Sequence, residues 1–192
     1  VEMLASHRAI NELMKSGAQD GTKVRAAELL NHDLSVTIVG QINDIYNQVS
    51  VQSADEQNII KTLTWKTAYY TFICPLELGA CLAGADGLSE RLRNYALNAG
   101  VAFQISDDIL GTFGDSFESG KSAEDDIREG KATLLTAHAR QHADEAQIKT
   151  LDGALGNRNA TMEQCDEVRQ VLEDTDAKKY ALETAQKYAD AA

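Results

Sequence analysis

The sequence contains a single proline, Pro75, among 192 residues. Loops and strand edges ordinarily use prolines and helix interiors exclude them, so this scarcity points to an all-α chain. Cysteine is also sparse. Cys74, Cys81 and Cys165 form an odd, widely spaced set without a C-x-x-C pair, which argues against a disulfide framework or zinc ribbon and for a reducing, cytoplasmic setting. Positive charge is short as well, with 18 Lys plus Arg against 30 Asp plus Glu and a formal net charge of −12. That balance disfavours nucleic acid or an anionic membrane as a partner, and it requires an anionic substrate to be met by local cations or a metal ion. No run of about 18 uncharged apolar residues occurs, and the charged N-terminus lacks the apolar core of a signal peptide. The length slightly exceeds one typical domain of about 150 residues, enough for a sizeable core without disulfides or structural metal. Because the chain opens on Val1 rather than Met and reads as if already inside a helix, further sequence is expected upstream.

What is present is helical periodicity. Ala27, Leu30, Leu34, Ile38, Ile42, Ile45 and Val49 recur at steps of three and four, predicting one helix from Thr22 to about Gln52 with that stripe as its buried face. The β-branched run Val36-Thr37-Ile38-Val39 has no flanking turn signal and reads as part of the same helix. Ser53-Ala-Asp-Glu56 has the form of a capping box and should start a second long helix running to about Gly84, kinked near Cys74 by Pro75. Asp86-Gly87 makes a turn, and a third long helix follows from about Ser89 to Gly111 or Gly114. A Gly-rich, charged stretch of about twenty residues then breaks the pattern, a length that in compact domains usually signals function or disorder. Shorter helices are expected near 132 to 143, 144 to 155, 162 to 173 and 176 to 190, the third opened by a capping box at Thr161 and Gln164.

Chemistry gathers at a few points. Asp107 and Asp108 sit in an apolar segment, where an inward carboxylate must be paired or metal-bound to offset desolvation. Gln104 precedes them by three and four residues, so all three can address one cavity. Such hard oxygens suit Mg²⁺, which takes one or two carboxylates and completes its shell with water and substrate phosphates. Lys121 and Lys131 each follow a glycine, a way to bring an ammonium close to phosphate oxygens. No Walker motif is present, because Asp115 stands where the first glycine would be needed. Gln41 and Asp44 share a face of the first long helix, and Lys66-Thr67 lies amid Trp65, Tyr69 and Tyr70. His138 and His142 have the i, i+4 spacing of a helical metal pair but lack the zincin glutamate, and read as surface residues.

Taken together, GQINDI (40 to 45), KTAYYTFICPLELGACLAG (66 to 84), FQISDDILG (103 to 111) and GKSAEDDIREGKAT (120 to 133) occur in an order and spacing that resemble the trans-isoprenyl diphosphate synthases. The resemblance, strongest to bacterial farnesyl and geranylgeranyl diphosphate synthases, implies the isoprenoid synthase fold, an antiparallel helix bundle around a cavity. It implies condensation of isopentenyl diphosphate with an allylic diphosphate, with Mg²⁺ (or Mn²⁺) as cofactor, and a homodimer. By the same resemblance Asp107 and Asp108 bind metal. Lys66, Lys121 and Lys131 contact the allylic diphosphate, Thr67 and Gln104 face the allylic cation, Gln41 and Asp44 line the cavity, and Phe103 lies near isopentenyl diphosphate. Two departures stand out. Gly111 replaces the third aspartate of D-D-x-x-D, and no first aspartate-rich motif lies upstream of Gln41. Residues 1–192 are therefore expected to be a single helical domain forming the C-terminal part of a longer enzyme, inactive alone. The alternative is a non-catalytic subunit of a heteromeric synthase, and a terpene cyclase gives no reason for the lysine set.

Overall fold

The computed structural model describes residues 2–49, 55–85, 87–114 and 124–192, with side-chain surroundings from residue 8 onward. Among these there is no β-strand. In chain order the elements are α1 (Glu2–Lys15), α2 (Asp20–Val49), α3 (Glu56–Leu63), a π-helical segment (Thr64–Ile73), α4 (Cys74–Leu82) and α5 (Glu90–Phe113). They continue with α6 (Asp125–Glu129), α7 (Leu134–His142), α8 (Glu145–Ala154), α9 (Met162–Asp174) and α10 (Ala177–Ala191).

Helix ends follow local chemistry. Ser89 caps α5, accepting from the Leu92 amide, and reciprocal capping boxes at Thr133/Thr136, Asp144/Gln147 and Thr161/Gln164 start α7, α8 and α9. The cap of α3 differs from expectation. Asp55 accepts from the Asn58 amide and Glu56 is the first helical residue, while Ser53 and Asp86 lie outside the described residues. Asp55 suits the place because its carboxylate reaches the free amides of the first turn and complements the helix dipole.

The expected kink at Pro75 takes the form of a widened helix. Over Thr64–Ile73 the hydrogen bonds run to the fifth residue back, ending with the Cys74 amide on the Tyr69 carbonyl. Pro75 then occupies the first turn of α4, directly after the widened turns, where its missing N–H interrupts the bonding of a continuous helix. Within the charged stretch after α5, residues 124–129 already form the short helix α6 and its lead-in, so that part is not loop.

The π segment lies between α2 and α5, and α10 covers the far side of α5. The apolar core sits on that far side, from Ile59, Val101, Ile105, Leu135, Leu151, Val168 and Leu172. The near side is held by close backbone approach. A side chain on Gly40 would strike the Lys66 backbone, and one on Gly100 would strike Ala68. These two glycines bring α2 and α5 against neighbouring residues of the π segment.

The buried face assigned to α2 is corrected. Ile38, Ile42, Ile45 and Val49 are exposed, Val49 by 84%, and the residues turned inward are Ala26, Asp33, Thr37, Gly40, Asp44 and Asn47. Polar partners explain the inversion. The Asn43 amide donates to Asn58 Oδ1 (3.0 Å) and Thr62 Oγ1 (2.6 Å), the Asn47 amide to Thr62 Oγ1 (3.1 Å), and the Asn58 amide to Asn47 Oδ1 (2.6 Å). The α2–α3 seam is thus a satisfied amide network, which burial does not penalise. No helix among the described residues is long and apolar enough to cross a membrane.

Candidate active site

Each close-packed glycine lies one helical turn before a polar residue of the site. Gly40 precedes Asp44, whose Oδ2 receives Lys66 Nζ at 2.6 Å and the Gln48 amide at 3.5 Å. Gly100 precedes Gln104, whose Oε1 accepts from Thr67 Oγ1 at 2.7 Å. Adjacent residues of the π segment therefore point to different neighbours, Lys66 to α2 and Thr67 to α5.

Thr67 fixes the Gln104 amide. With Oε1 occupied, Nε2 donates to Asp107 Oδ2 (3.1 Å) and Asp108 Oδ1 (3.0 Å). The two carboxylates then part company. Asp107 is exposed, whereas Asp108 is 3% exposed and accepts Lys131 Nζ at 2.8 Å. Lys131 also meets Asp126 Oδ2 at 3.3 Å. Burial pushes the Asp108 carboxyl up, against the pull of Lys131 and Gln104. Burial would lower the Lys131 ammonium, but the Asp108 and Asp126 carboxylates outweigh it and hold the value above the ordinary lysine range.

Lys131 reaches this position through the end of α6. Gly130 is left-handed (φ 68°), its amide bonds the Ile127 carbonyl and the Lys131 amide bonds the Asp126 carbonyl, both at 3.0 Å. This Schellman turn, which glycine permits, folds the lysine back toward α5.

Other expected site residues fall elsewhere. Gln41 is exposed on α2. Phe103 is 52% exposed, meets the edge of Phe72 at 5.9 Å between centroids, and with Tyr95 and Leu182 walls a groove of about 560 Å³ beside α10. Lys66, Gln104 and Asp107 do not line that groove, so its size is no guide to the polar centre. Lys121 lies outside the described residues. His138 is half-buried rather than on the surface. Its ring stacks on His142 at 4.1 Å and on Tyr180 at 4.3 Å, because α10 covers that side of α7. Sequence reasoning missed Asp126 and Gly100, and only the i, i+4 spacing of Gly100 before Gln104 could have signalled the latter.

Among the described residues no three His, Cys, Asp or Glu side chains converge as a metal cage. The donor set still fits Mg²⁺. Asp107 keeps one oxygen free of Gln104 and faces solvent, as suits an ion that completes its shell with water and substrate oxygens.

Known proteins resemble this chain in sequence and in fold. Geranylgeranyl diphosphate synthase of Saccharolobus solfataricus is 34% identical over 185 residues, 96% of this chain and 54% of that protein. Geranylfarnesyl diphosphate synthase of Aeropyrum pernix is 29% identical, covering 98% of this chain and 58% of that protein. The solved structure of geranylgeranyl pyrophosphate synthase from Corynebacterium glutamicum, complexed with isoprenyl diphosphate and magnesium, is 30% identical. It superposes with a TM-score of 0.88 over 98% of this chain and 53% of that one. The fold is therefore the all-α isoprenoid synthase fold, and the chain spans about half the length of the relatives it matches. Since residues 2–173 match the family model described as polyprenyl synthetase, the chain belongs to the polyprenyl synthetase family.

Proposed function

We propose that residues 1–192 form one helical unit of a longer trans-prenyltransferase that condenses isopentenyl diphosphate with an allylic diphosphate. The observation that carries this reading is the continuous chain Thr67–Gln104–Asp107/Asp108 set beside Lys66. It is a rigid polar centre with an ammonium and an exposed carboxylate.

In this reading Asp107 holds the metal and Asp108 supports it through Gln104 and Lys131. Bound Mg²⁺ would neutralise the diphosphate as it departs from the allylic carbon. Lys66 adds a cation for the same oxygens, kept in place by Asp44. Thr67 and Gln104 present oriented dipoles near the developing allylic cation, and their fixed geometry needs no reorganisation as charge moves. Lys121 and Lys131 bring further positive charge, Gln41 and Asp44 border the chain cavity, and Phe103 lies toward isopentenyl diphosphate. The exposed apolar face of α2, with Ile38, Ile42, Ile45 and Val49, supports association with a second copy, since contiguous apolar patches mark contact surfaces. A cytoplasmic setting accords with three free, buried cysteines.

The test is chain elongation by the full-length protein, using labelled isopentenyl diphosphate, a series of allylic diphosphates and Mg²⁺. Incorporation that falls at least about 100-fold in Asp107→Ala supports the reading. No incorporation by the wild type with any allylic partner, or unchanged incorporation in Asp107→Ala, would sink it.

A further inference from the structure

The Lys131–Asp108 pair joins two elements, since Asp108 stands on α5 and Lys131 follows α6. A helix of five residues has too few internal bonds to hold its own place, so α6 depends on its neighbours. One of these is α9. From it Arg169 reaches out with a mostly covered side chain, and its three nitrogens take three different acceptors. Nε donates to the Thr112 carbonyl at 2.7 Å, Nη2 to Glu124 Oε1 at 3.2 Å and Nη1 to Asp166 Oδ1 at 2.5 Å. Thr112 is buried in the last turn of α5, where carbonyls find no partner within the helix. Its hydroxyl in turn donates to the Asp108 carbonyl at 3.0 Å. Glu124 immediately precedes α6, and its carbonyl accepts from the Arg128 amide at 2.9 Å. The contacts close a ring, from Asp108 through Thr112, Arg169 and Glu124 to α6 and back through Lys131.

We propose that Arg169 is a positioning residue for the polar centre, tying the last turn of α5 to the lead-in of α6 and thereby setting the reach of Lys131 to Asp108. Its own partners, Thr112, Glu124 and Asp166, lie outside the chain Thr67–Gln104–Asp107/Asp108. What it supplies is geometry more than charge. A guanidinium is a planar fork with donors in fixed directions, which the single ammonium of a lysine cannot reproduce on Thr112 and Glu124 together. Its positive charge is already met by two carboxylates, those of Glu124 and Asp166. The opposite side of α6 has a separate anchor, because Arg128 Nε donates to the Ala160 carbonyl at 3.0 Å and Ile127 packs in the core. Loss of Arg169 therefore frees one side of α6 and leaves the other held. The part of this inference that concerns turnover rests on the function proposed above, whereas the placement of Lys131 does not.

The experiment uses the full-length protein and two variants. Arg169→Lys keeps the charge and loses the fork. Glu124→Ala removes only the α6 anchor, which keeps the test open if Arg169→Lys does not fold. Lysines are labelled by reductive methylation without ligand, well below each Tm, and read by mass spectrometry. Lys131, whose side chain is 16% exposed, should be labelled several-fold faster in both variants, toward the rate of Lys149, exposed on α8. Lys66, half-buried against Asp44, should keep its wild-type rate. With labelled isopentenyl diphosphate, an allylic diphosphate and Mg²⁺, kcat should fall by about 10- to 100-fold in both, the scale of a misplacement of about 1 Å. Three results overturn the proposal. One is an unchanged Lys131 rate in either variant. Another is a parallel rise at Lys66, which reports general loosening. The third is wild-type turnover in a variant whose Lys131 has become reactive. Should the wild type elongate no allylic diphosphate, the function proposed above fails, and the labelling still decides whether Arg169 places Lys131.

Discussion

Gln104→Glu exchanges one amide nitrogen for oxygen and leaves the shape of the side chain intact. Its consequence follows from two distances. In the wild type Nε2 donates to Asp107 Oδ2 at 3.1 Å and Asp108 Oδ1 at 3.0 Å. In the variant an ionised carboxylate would face two others at hydrogen-bonding distance, so the introduced carboxyl should bind a proton in the folded state. Neighbouring like charges raise a carboxyl pKa by one to several units, and a rise of about two units from 4.3 corresponds to about 2.7 kcal/mol. The sign follows from proton counting. The native state binds more protons than the unfolded state above pH 4.3, so the penalty grows as pH rises. For a native value near 6.3 the loss is about 1 kcal/mol at pH 5 and about 2.7 kcal/mol at pH 8. Urea unfolding of wild type and variant at the two pH values, without divalent metal, gives the difference directly. A destabilisation that is the same at both pH values would refute the reasoning, because it would mean that the nitrogen does not face the carboxylates.

The remaining predictions concern the supports of the site. Gly40→Ala places a methyl 2.7 Å from the Trp65 carbonyl carbon and 2.9 Å from Lys66 Cα, and Gly100→Ala presses on Ala68. Each should cost about 1–3 kcal/mol in urea unfolding by overpacking, and a cost below about 0.5 kcal/mol would show that the helices yield. Burial, then the adjacent His142, hold His138 below the ordinary histidine range. The unfolded state therefore gains protons first as pH falls, and stability drops through about pH 6.5. His138→Phe keeps the stack on Tyr180 and should reduce the loss of Tm between about pH 7 and pH 5; an equal loss in both proteins would contradict the assignment. Burial and the nearby Asp33 push the Cys74 thiol from 9.0 up to about 11. Between those values the native state holds the proton and the unfolded state does not, so stability should fall with rising pH by at most about 2.7 kcal/mol. Cys74→Ala should flatten that slope, and an unchanged slope would place its origin elsewhere.

Much of the fold was legible because helix ends carry their own chemistry. Thr161 with Gln164 announced α9, and Ser89 announced α5. The π segment was not legible, since Pro75 marks where a helix is disturbed and not how far upstream its bonding widens. At the site, the spacing of Gln104, Asp107 and Asp108 pointed all three into one cavity, whereas the structure joins them by hydrogen bonds through the Gln104 amide. Spacing could not show that one carboxylate stays exposed while the other is buried against Lys131. Nor could it place Asp126, whose ion pair with Lys131 depends on how the turn after α6 folds the lysine back toward α5.

The periodicity of α2 shows why pattern and orientation are separate questions. Steps of three and four identify which residues share a face, but the helix has two faces and each has a physical claim to be inside. The apolar stripe offers about 1.5–3 kcal/mol for each large side chain covered. The opposite face offers Gly40 for close approach and amides that satisfy one another across the seam with α3. Turning that face outward would break the Asn43–Asn47–Asn58–Thr62 network and separate Asp44 from Lys66. Within these 192 residues the polar face wins because its partners, on α3 and the π segment, belong to this chain. For α2, then, asparagine, aspartate and glycine mark the inward side more reliably than isoleucine does, and the residues that orient the helix include those that build the site.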